Sequence, residues 1–529
     1  MIIFAYILTS FSYIICFPGF NFSFAAWFCL VPLIFAVDLE SDAKVVFRKS
    51  FLCGWIIFLG SMYWLAFVSW LGYILVSLYL ALYIGLFGII RYYHKQFIVI
   101  PLAWTALEFI RANLFGGMPW LLLGASQHDI LPIIQISSVT GVYGVSFFAA
   151  MINAVIAHTM GPARDNETGN HVFFRWVITF AVLISVVLYG YSSLARLVGD
   201  KKIKVGVVQP NIPQELKWDP TYAGKMLDKL EALSRNITGI YKVRCGGYPS
   251  FKIDLAMVNK YLSKYKVNKK ERTQIIIWPE TAAPEFTESR ETFRRICDLA
   301  REFNSYFIIG SQGVEGRNGR DKKYFNSAFL VSNEGRVVDE YRKIHLVPFG
   351  EFVPFVNIFP FLKSFTPVKE GFTAGKEYVV FKIPISENKL AEDGSESAPF
   401  NLNSSVLICF EDIFPGIARE FVRNGAEVLV NLTNDGWFGE TNAASQHAYL
   451  SVFRAVENGV PMVRSTNTGL SCFVDSNGQI FEVPMFIGIG SAKEIPVLKR
   501  DTFYTKYGDV FGWLCSLLFC FIIVFQKKI

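Results

Sequence analysis

Long apolar stretches fill the first 200 residues and the final 30, while between them short apolar runs alternate with amphipathic and polar segments. Seven stretches before residue 200 approach the roughly 20 residues that a helix needs to cross a bilayer. They lie at residues 2–17, 22–37, 51–71, 73–90, 97–115, 143–160 and 173–194, and an eighth lies at 510–525. The first two are short and divided by Pro18 and Gly19, so a single re-entrant hairpin is the alternative there. The opening MIIFAYILTS has neither a basic region nor a small-residue cleavage site, which predicts a retained span and not a removed leader.

Basic residues fall on alternate connections. Lys44, Arg48 and Lys49 follow the second stretch, Arg91 and Lys95 the fourth, Arg164 and Arg175 the sixth, and Lys527 and Lys528 the eighth. Connections after the first, third and fifth carry none. The bias of Lys and Arg toward the inner face predicts cytoplasmic termini and an outward-facing central region.

That region switches period. Apolar runs at 203–208, 274–278, 306–310, 328–331, 406–408, 428–432 and 462–465 read as strands. Residues 443–458 read as a helix stopped by Gly459 and Pro461. Polar stretches at 243–272 and 386–403 read as surface insertions, and no internal repeat is visible. The expected organisation is a transmembrane part over 1–197, an extracytoplasmic α/β part over 198–503 and a closing transmembrane helix over 504–529.

Composition agrees, with 52% hydrophobic residues and a mean hydropathy of +0.35. The net charge of +7 is scattered over connections and a mixed-charge middle, which argues against a nucleic-acid partner. Nine cysteines include no C-x-x-C pair, so neither zinc nor thioredoxin-like chemistry is indicated, and no metal or cofactor is implied. Whether Cys245, Cys297 or Cys472 forms a disulfide stays open. Glu108 and Arg111, three residues apart on one helical face of the fifth stretch, either face a partner or wet cavity, or neutralise each other near the headgroups.

Candidate chemistry centres on SSVLICFED, where the run ending at Ile408 is cut off by Cys409, Phe410, Glu411 and Asp412, and Pro415-Gly416 opens a helix. Strand, sharp turn and helix is a rigid way to expose a nucleophile, although a cysteine taken alone is more often merely packed. Glu280 closes the run QIIIWPE, and Lys343 sits in YRKIH. Singly these are a capping carboxylate and a surface lysine; together with Cys409 they offer base, cation and nucleophile. A free thiol of pKa about 8.5 needs help to ionise, so a nearby ammonium and a partly desolvated carboxylate are expected.

In this order the three residues resemble the Glu-Lys-Cys triad of the nitrilase superfamily. The words WPETAAP, YRKIHLVPFGEFVP, CFEDIFP, NLTNDGWFG and RSTNTGLS, with the flanking apolar stretches, are similar to the apolipoprotein N-acyltransferase family over nearly the whole chain. The resemblance implies a polytopic α-helical membrane part of about eight spans joined to a nitrilase-like αββα sandwich. It further implies a bacterial inner (cytoplasmic) membrane enzyme with its catalytic part on the periplasmic side. Its implied reaction moves an acyl chain from a phospholipid to the α-amino group of a diacylglyceryl-cysteine at an apolipoprotein N-terminus, through a Cys409 thioester and ping-pong kinetics.

Supporting positions implied by the resemblance are Glu351, Glu411, the backbone N–H of Phe410, where relatives commonly have Tyr, and Trp218 near the substrate. Trp218 is equally well read as a packed loop aromatic. His345 and His447 are expected to be structural. Two rival readings remain at this stage: a membrane-tethered amidase or nitrilase, in which water replaces the amine, and a transporter with an appended domain.

Overall fold

The computed structural model describes residues 1–161, 169–195, 201–217, 219–237, 242–243, 273–283, 286–316, 322–354, 371–385, 399–497 and 499–525. Arg164, Trp218, Cys245, Lys527, Lys528, most of the stretch at 243–272 and the greater part of 386–403 lie outside the described residues.

Among the described residues three helices are long and apolar enough to cross a membrane: Trp70–Tyr93, Val142–Met160 and Asn170–Leu194. That is fewer than the eight expected. The remaining stretches form Ile2–Ile15, Val31–Leu39, Ala43–Ser61, Val99–Asn113 and Val510–Phe525. Four of these are short. The fifth, Ala43–Ser61, starts well before the expected residue 51, because Asp42 caps it through the Lys44 N–H, and so takes in Lys44, Arg48 and Lys49. Side chains such as Phe4, Leu75, Phe173, Leu188 and Leu517 face outward and exposed, as a lipid-facing surface requires.

The helical bundle has two distinct ends. At one, Asp38 pairs with Arg91 at 2.5 Å and Lys95 at 2.9 Å, and Glu40 with Lys49 at 2.5 Å. At the other, connecting segments meet the strand-rich region: Asn442 donates to the Pro18 carbonyl at 2.7 Å, and the indoles of Trp64 and Trp120 both donate to Gln446 Oε1, at 3.1 and 2.9 Å.

Residues 202–496 build two sheets. Strands β1 (Lys202–Gln209), β3 (Ile275–Trp278), β4 (Tyr306–Glu315), β5 (Lys323–Val331), β6 (Val337–Arg342) and β13 (Ile489–Pro496) form a six-stranded sheet ordered β13-β1-β3-β4-β5-β6. Strands β2 (Lys242–Val243), β7 (Phe381–Ile385), β8 (Phe400–Ile408), β9 (Val428–Thr433), β10 (Met462–Thr466), β11 (Cys472–Val474) and β12 (Ile480–Glu482) form the other, ordered β2-β12-β11-β10-β9-β8-β7. In each sheet three central strands run parallel, β1-β3-β4 and β8-β9-β10, and the edges are antiparallel. All seven expected strands are present. The last residues of the expected second insertion, Phe400 to Asn403, instead begin β8, paired with β7.

The sheets pack face to face, bridged by Ser465, whose hydroxyl meets the Val208 and Ile277 carbonyls at 3.2 Å each. Helices Ala223–Arg235 and Arg290–Phe303 cover the six-stranded sheet, burying Leu227, Leu230, Ile296 and Leu299 against Ile276, Trp278 and Phe307. Helices Pro415–Arg423 and Ala443–Asn458 cover the other. The second ends where expected, at Gly459 with φ +64. It is buried on all sides, with Ser445 alone among its residues not fully enclosed. One side meets the sheet, the other the membrane-helix connections.

Candidate active site

The three candidate residues lie just past strand ends: Glu280 two residues after β3, Lys343 directly after β6 and Cys409 directly after β8. Carboxyl ends of parallel strands are where open α/β sheets build sites, because the chain there leaves the ladder and its side chains turn toward one crevice.

Cys409 opens a short turn, Cys409–Ile413, between β8 and helix Pro415–Arg423. Its φ is +52, a left-handed conformation that costs a non-glycine residue on the order of 1 kcal/mol and needs external support. Glu411 supplies part of that support. Its carboxylate, fully buried, accepts from the Ile408 N–H at 2.7 Å, from the Ile344 and His345 N–H groups at 2.8 and 3.0 Å, and from the Tyr341 hydroxyl at 2.8 Å. One side chain thus ties the end of β8 to the residues that follow Lys343.

The Asn431 amide donates to the Cys409 carbonyl at 3.1 Å, while Asn431 Oδ1 accepts from Arg464 at 2.8 Å. Arg464 pairs with Asp412 at 2.5 Å and Asp435 at 3.2 Å, and His447 lies between the same two carboxylates at 2.8 Å from each. Every member of this set is buried.

Around Cys409 the polar groups converge. Lys343 Nζ sits 2.8 Å from Glu351 Oε2 and 3.9 Å from Glu280 Oε1. Asn326 donates to Glu280 Oε1 and Glu351 Oε1, both at 2.8 Å, so one amide bridges the two carboxylates. Glu351 also accepts from the Val347 N–H at 2.8 Å. Lys343 is 1% exposed, Asn326 2%, Glu280 7% and Glu351 9%, enough shielding to make their charges act strongly on each other.

Burial disfavours the Lys343 ammonium, but the Glu351 and Glu280 carboxylates outweigh it and hold the group charged, well above an ordinary lysine. Cys409 behaves differently from the expectation of a thiolate favoured by its lysine. The residue is half-buried, yet burial of its sulfur, reinforced by the negative charge of Glu280, raises the thiol well above its usual range, and Lys343 and the Thr433 hydroxyl offset only part of this. The site therefore favours a protonated thiol beside a charged Lys343.

The expected triad positions and Glu351 and Glu411 are brought together. Phe410 packs edge-on to Phe414 at 5.2 Å. His345 lies against Phe414 at 4.1 Å, and both ring nitrogens of His447 are engaged by carboxylates, so both histidines have structural surroundings. Two residues went unnoticed in the sequence. Asn326 is a polar residue within the apolar run of β5, which is a visible signal. Lys217, next to Trp218, is buried and donates to the Glu280 carbonyl at 2.7 Å. Among the described residues no cluster of three or more His, Cys, Asp or Glu is placed to hold a metal ion.

Glu108 accepts from the Trp104 indole at 3.0 Å and the Leu123 N–H at 2.7 Å, and Arg111 donates to the Leu121 carbonyl at 3.1 Å. The pair is buried and braces the connection that carries Trp120.

A model described as the apolipoprotein N-acyltransferase N-terminal domain matches residues 9–155, and one described as carbon-nitrogen hydrolase matches residues 204–484. The second match and the two packed sheets agree on a nitrilase-like fold. The chain is similar to the apolipoprotein N-acyltransferase of Geobacter metallireducens, with 33% identity over 94% of this chain and 90% of the relative. It is similar also to those of Chlorobaculum tepidum, 26% identical over 94% and 91%, and of Pasteurella multocida, 29% identical over 98% and 94%.

Proposed function

From the premise that this chain belongs to the apolipoprotein N-acyltransferase family, we propose that it transfers an acyl chain from a phospholipid to the α-amino group of an N-terminal diacylglyceryl-cysteine, through a thioester on Cys409. The observation that carries the reading is a thiol at a strained turn, held protonated chiefly by burial, with the Glu280 carboxylate and the Lys343 ammonium acting on it in opposite directions.

In the first half, Glu280 takes the Sγ proton as sulfur adds to the ester carbonyl. The C–O bond then breaks, and the departing alkoxide receives that proton from Glu280, giving a lysophospholipid and the thioester. A thiol held neutral at rest suits this order, since the thiolate forms only when a substrate is present to take it. In the second half a neutral α-amine, available because such groups titrate near about 7.7 to 8.0, adds to the thioester. Its proton passes to Glu280 and on to the leaving sulfur, restoring the thiol. Lys343 and the Phe410 N–H stabilise the oxyanion in both halves. Glu351 and Asn326 hold Lys343, Glu411 fixes the turn, and Trp218 borders the substrate.

Eight crossings are supported by alternation. Connections after the first, third and fifth helices, at Pro18, Trp64 and Trp120, touch the sandwich region, and the Asp38-Arg91-Lys95 and Glu40-Lys49 clusters lie at the opposite end. On this reading the transmembrane part spans 1–197, the sandwich 198–503 and the last span 504–529, in a bacterial inner membrane with the sandwich on the periplasmic side.

Intact-mass analysis of the purified protein with phospholipid tests the reaction. The wild type gains an acyl-sized mass that a lipopeptide with a free amine removes, and Cys409→Ala gains none. An acyl adduct on Cys409→Ala refutes the thioester.

A further inference from the structure

In the catalytic crevice the acidic side chains of Glu280, Glu351 and Glu411 outnumber the ammonium of Lys343. A second cation is present. Lys217, 3% exposed, reaches in from the segment after β1 and places Nζ 2.7 Å from the main-chain carbonyl of Glu280. That carbonyl leads into Thr281, whose φ of +43 is left-handed like that of Cys409. The base and the nucleophile thus both sit at backbone positions that need to be held.

We propose that Lys217 is a positioning residue for the acyl transfer: its ammonium clamps the Glu280–Thr281 turn, keeps the carboxylate aimed at the sulfur, and lowers the cost of the thiolate that the reaction must form. The inference rests on the assignment of Glu280 and Cys409 made above.

A merely structural lysine on a loop would keep its aliphatic stem packed and its head in water. Lys217 buries its head as well as its stem. Among the described residues the charges that act on it are those of Glu280 and, once ionised, Cys409. Burial lowers its pKa to about 8, against the opposing pull of Glu280. It therefore changes charge within the range where the enzyme is assayed, and each loss of that charge makes the thiolate harder to form.

Alkylation of Cys409 by iodoacetamide, followed by peptide mass at each pH, reads thiolate formation directly. In the wild type the logarithm of the rate rises with pH and bends to a shallower slope near pH 8, where Lys217 gives up its proton. In Lys217→Met the line is unbroken, and thioester formation from phospholipid slows by about 10- to 100-fold, the range of one positioned charge. Its KM for phospholipid stays within a factor of about three, the mark of a loss made in the transition state. Lys217→Arg, which keeps the charge, recovers most of the rate.

A wild-type rate and a bent profile in Lys217→Met overturn the proposal, as does a fall in melting temperature that Lys217→Arg shares in full with unchanged alkylation profiles. Failure of the underlying reading is distinct: it would appear as an acyl adduct in Cys409→Ala, whatever the Lys217 variants do.

Discussion

Glu351 and Asn326 show how much of the candidate site consists of residues holding other residues. Replacing Glu351 by Gln leaves Lys343, among the described residues, with Glu280 as its remaining acidic neighbour within 4 Å, at 3.9 Å, and draws the ammonium toward it. We expect thioester formation to fall by about 100-fold or more, with the protein still folded, checked by single-turnover kinetics alongside thermal unfolding. The raised thiol has its own signature: Cys409 should react with iodoacetamide at pH 7 more slowly than N-acetylcysteine and accelerate as pH rises, because the unreactive protonated form persists. Equal rates at pH 7 would contradict a buried, neutral resting thiol. At this scale the sequence was informative where chemistry is written into a local pattern. Cys409 interrupts an apolar run, and Glu280 ends one. Lys217 has no such mark, since its partner is 63 residues away and its burial depends on the fold.

Elements set the distances between those residues. Strand β4 lies beside the end of β3, and at Gly310 the fit is tight: a Cβ there would stand 2.2 Å from the Pro279 carbonyl oxygen and 2.7 Å from Glu280 Cα. Gly310→Ala should push the base away from the sulfur, lowering activity at least about tenfold and stability by about 1–3 kcal/mol, measured by product formation and urea unfolding. Behind Cys409, burial and Arg464 work against a charged His447, but Asp412 and Asp435 outweigh them and raise its pKa. A group raised in the folded state contributes fully below its unfolded pKa, about 6.5, and loses that contribution as pH climbs through the folded value. His447→Gln should accordingly cost about 3–5 kcal/mol at pH 6 and less at higher pH, seen as a narrowing gap between the two unfolding midpoints. Central strands were legible because they are buried on both faces and read as mostly apolar runs, as in β3 (IIIW), although Asn431 and Arg464 interrupt β9 and β10. The antiparallel strands outside that centre were harder to read: β2, β11 and β12 have two or three residues, and β13 (IGSAKEIP) mixes polar with apolar positions.

Over the whole molecule the alternation of basic and neutral connections agrees with which connections touch the sandwich, so a charge pattern and a packing pattern give one topology. With native cysteines other than Cys409 replaced, a membrane-impermeant maleimide should label Glu334→Cys in sealed, outward-facing cells and label Ser41→Cys only after lysis; both sites are exposed. Labelling in the reverse sense would invert the proposed orientation. Helix lengths were less legible, since hydropathy shows where a chain prefers lipid but not where caps and charges end a helix, as Asp42 does for Ala43–Ser61. The enclosed helix Ala443–Asn458 carries a last consequence. Its outer side is sealed by Trp64 and Trp120 through Gln446, and its Glu457 receives the Val142 N–H at 3.0 Å. Severing the membrane helices to obtain a water-soluble half would strip that cover and leave an oily flank bare, so the truncated protein should self-associate and bind hydrophobic dyes. The helical part is thus a structural cover for the sandwich as well as its anchor.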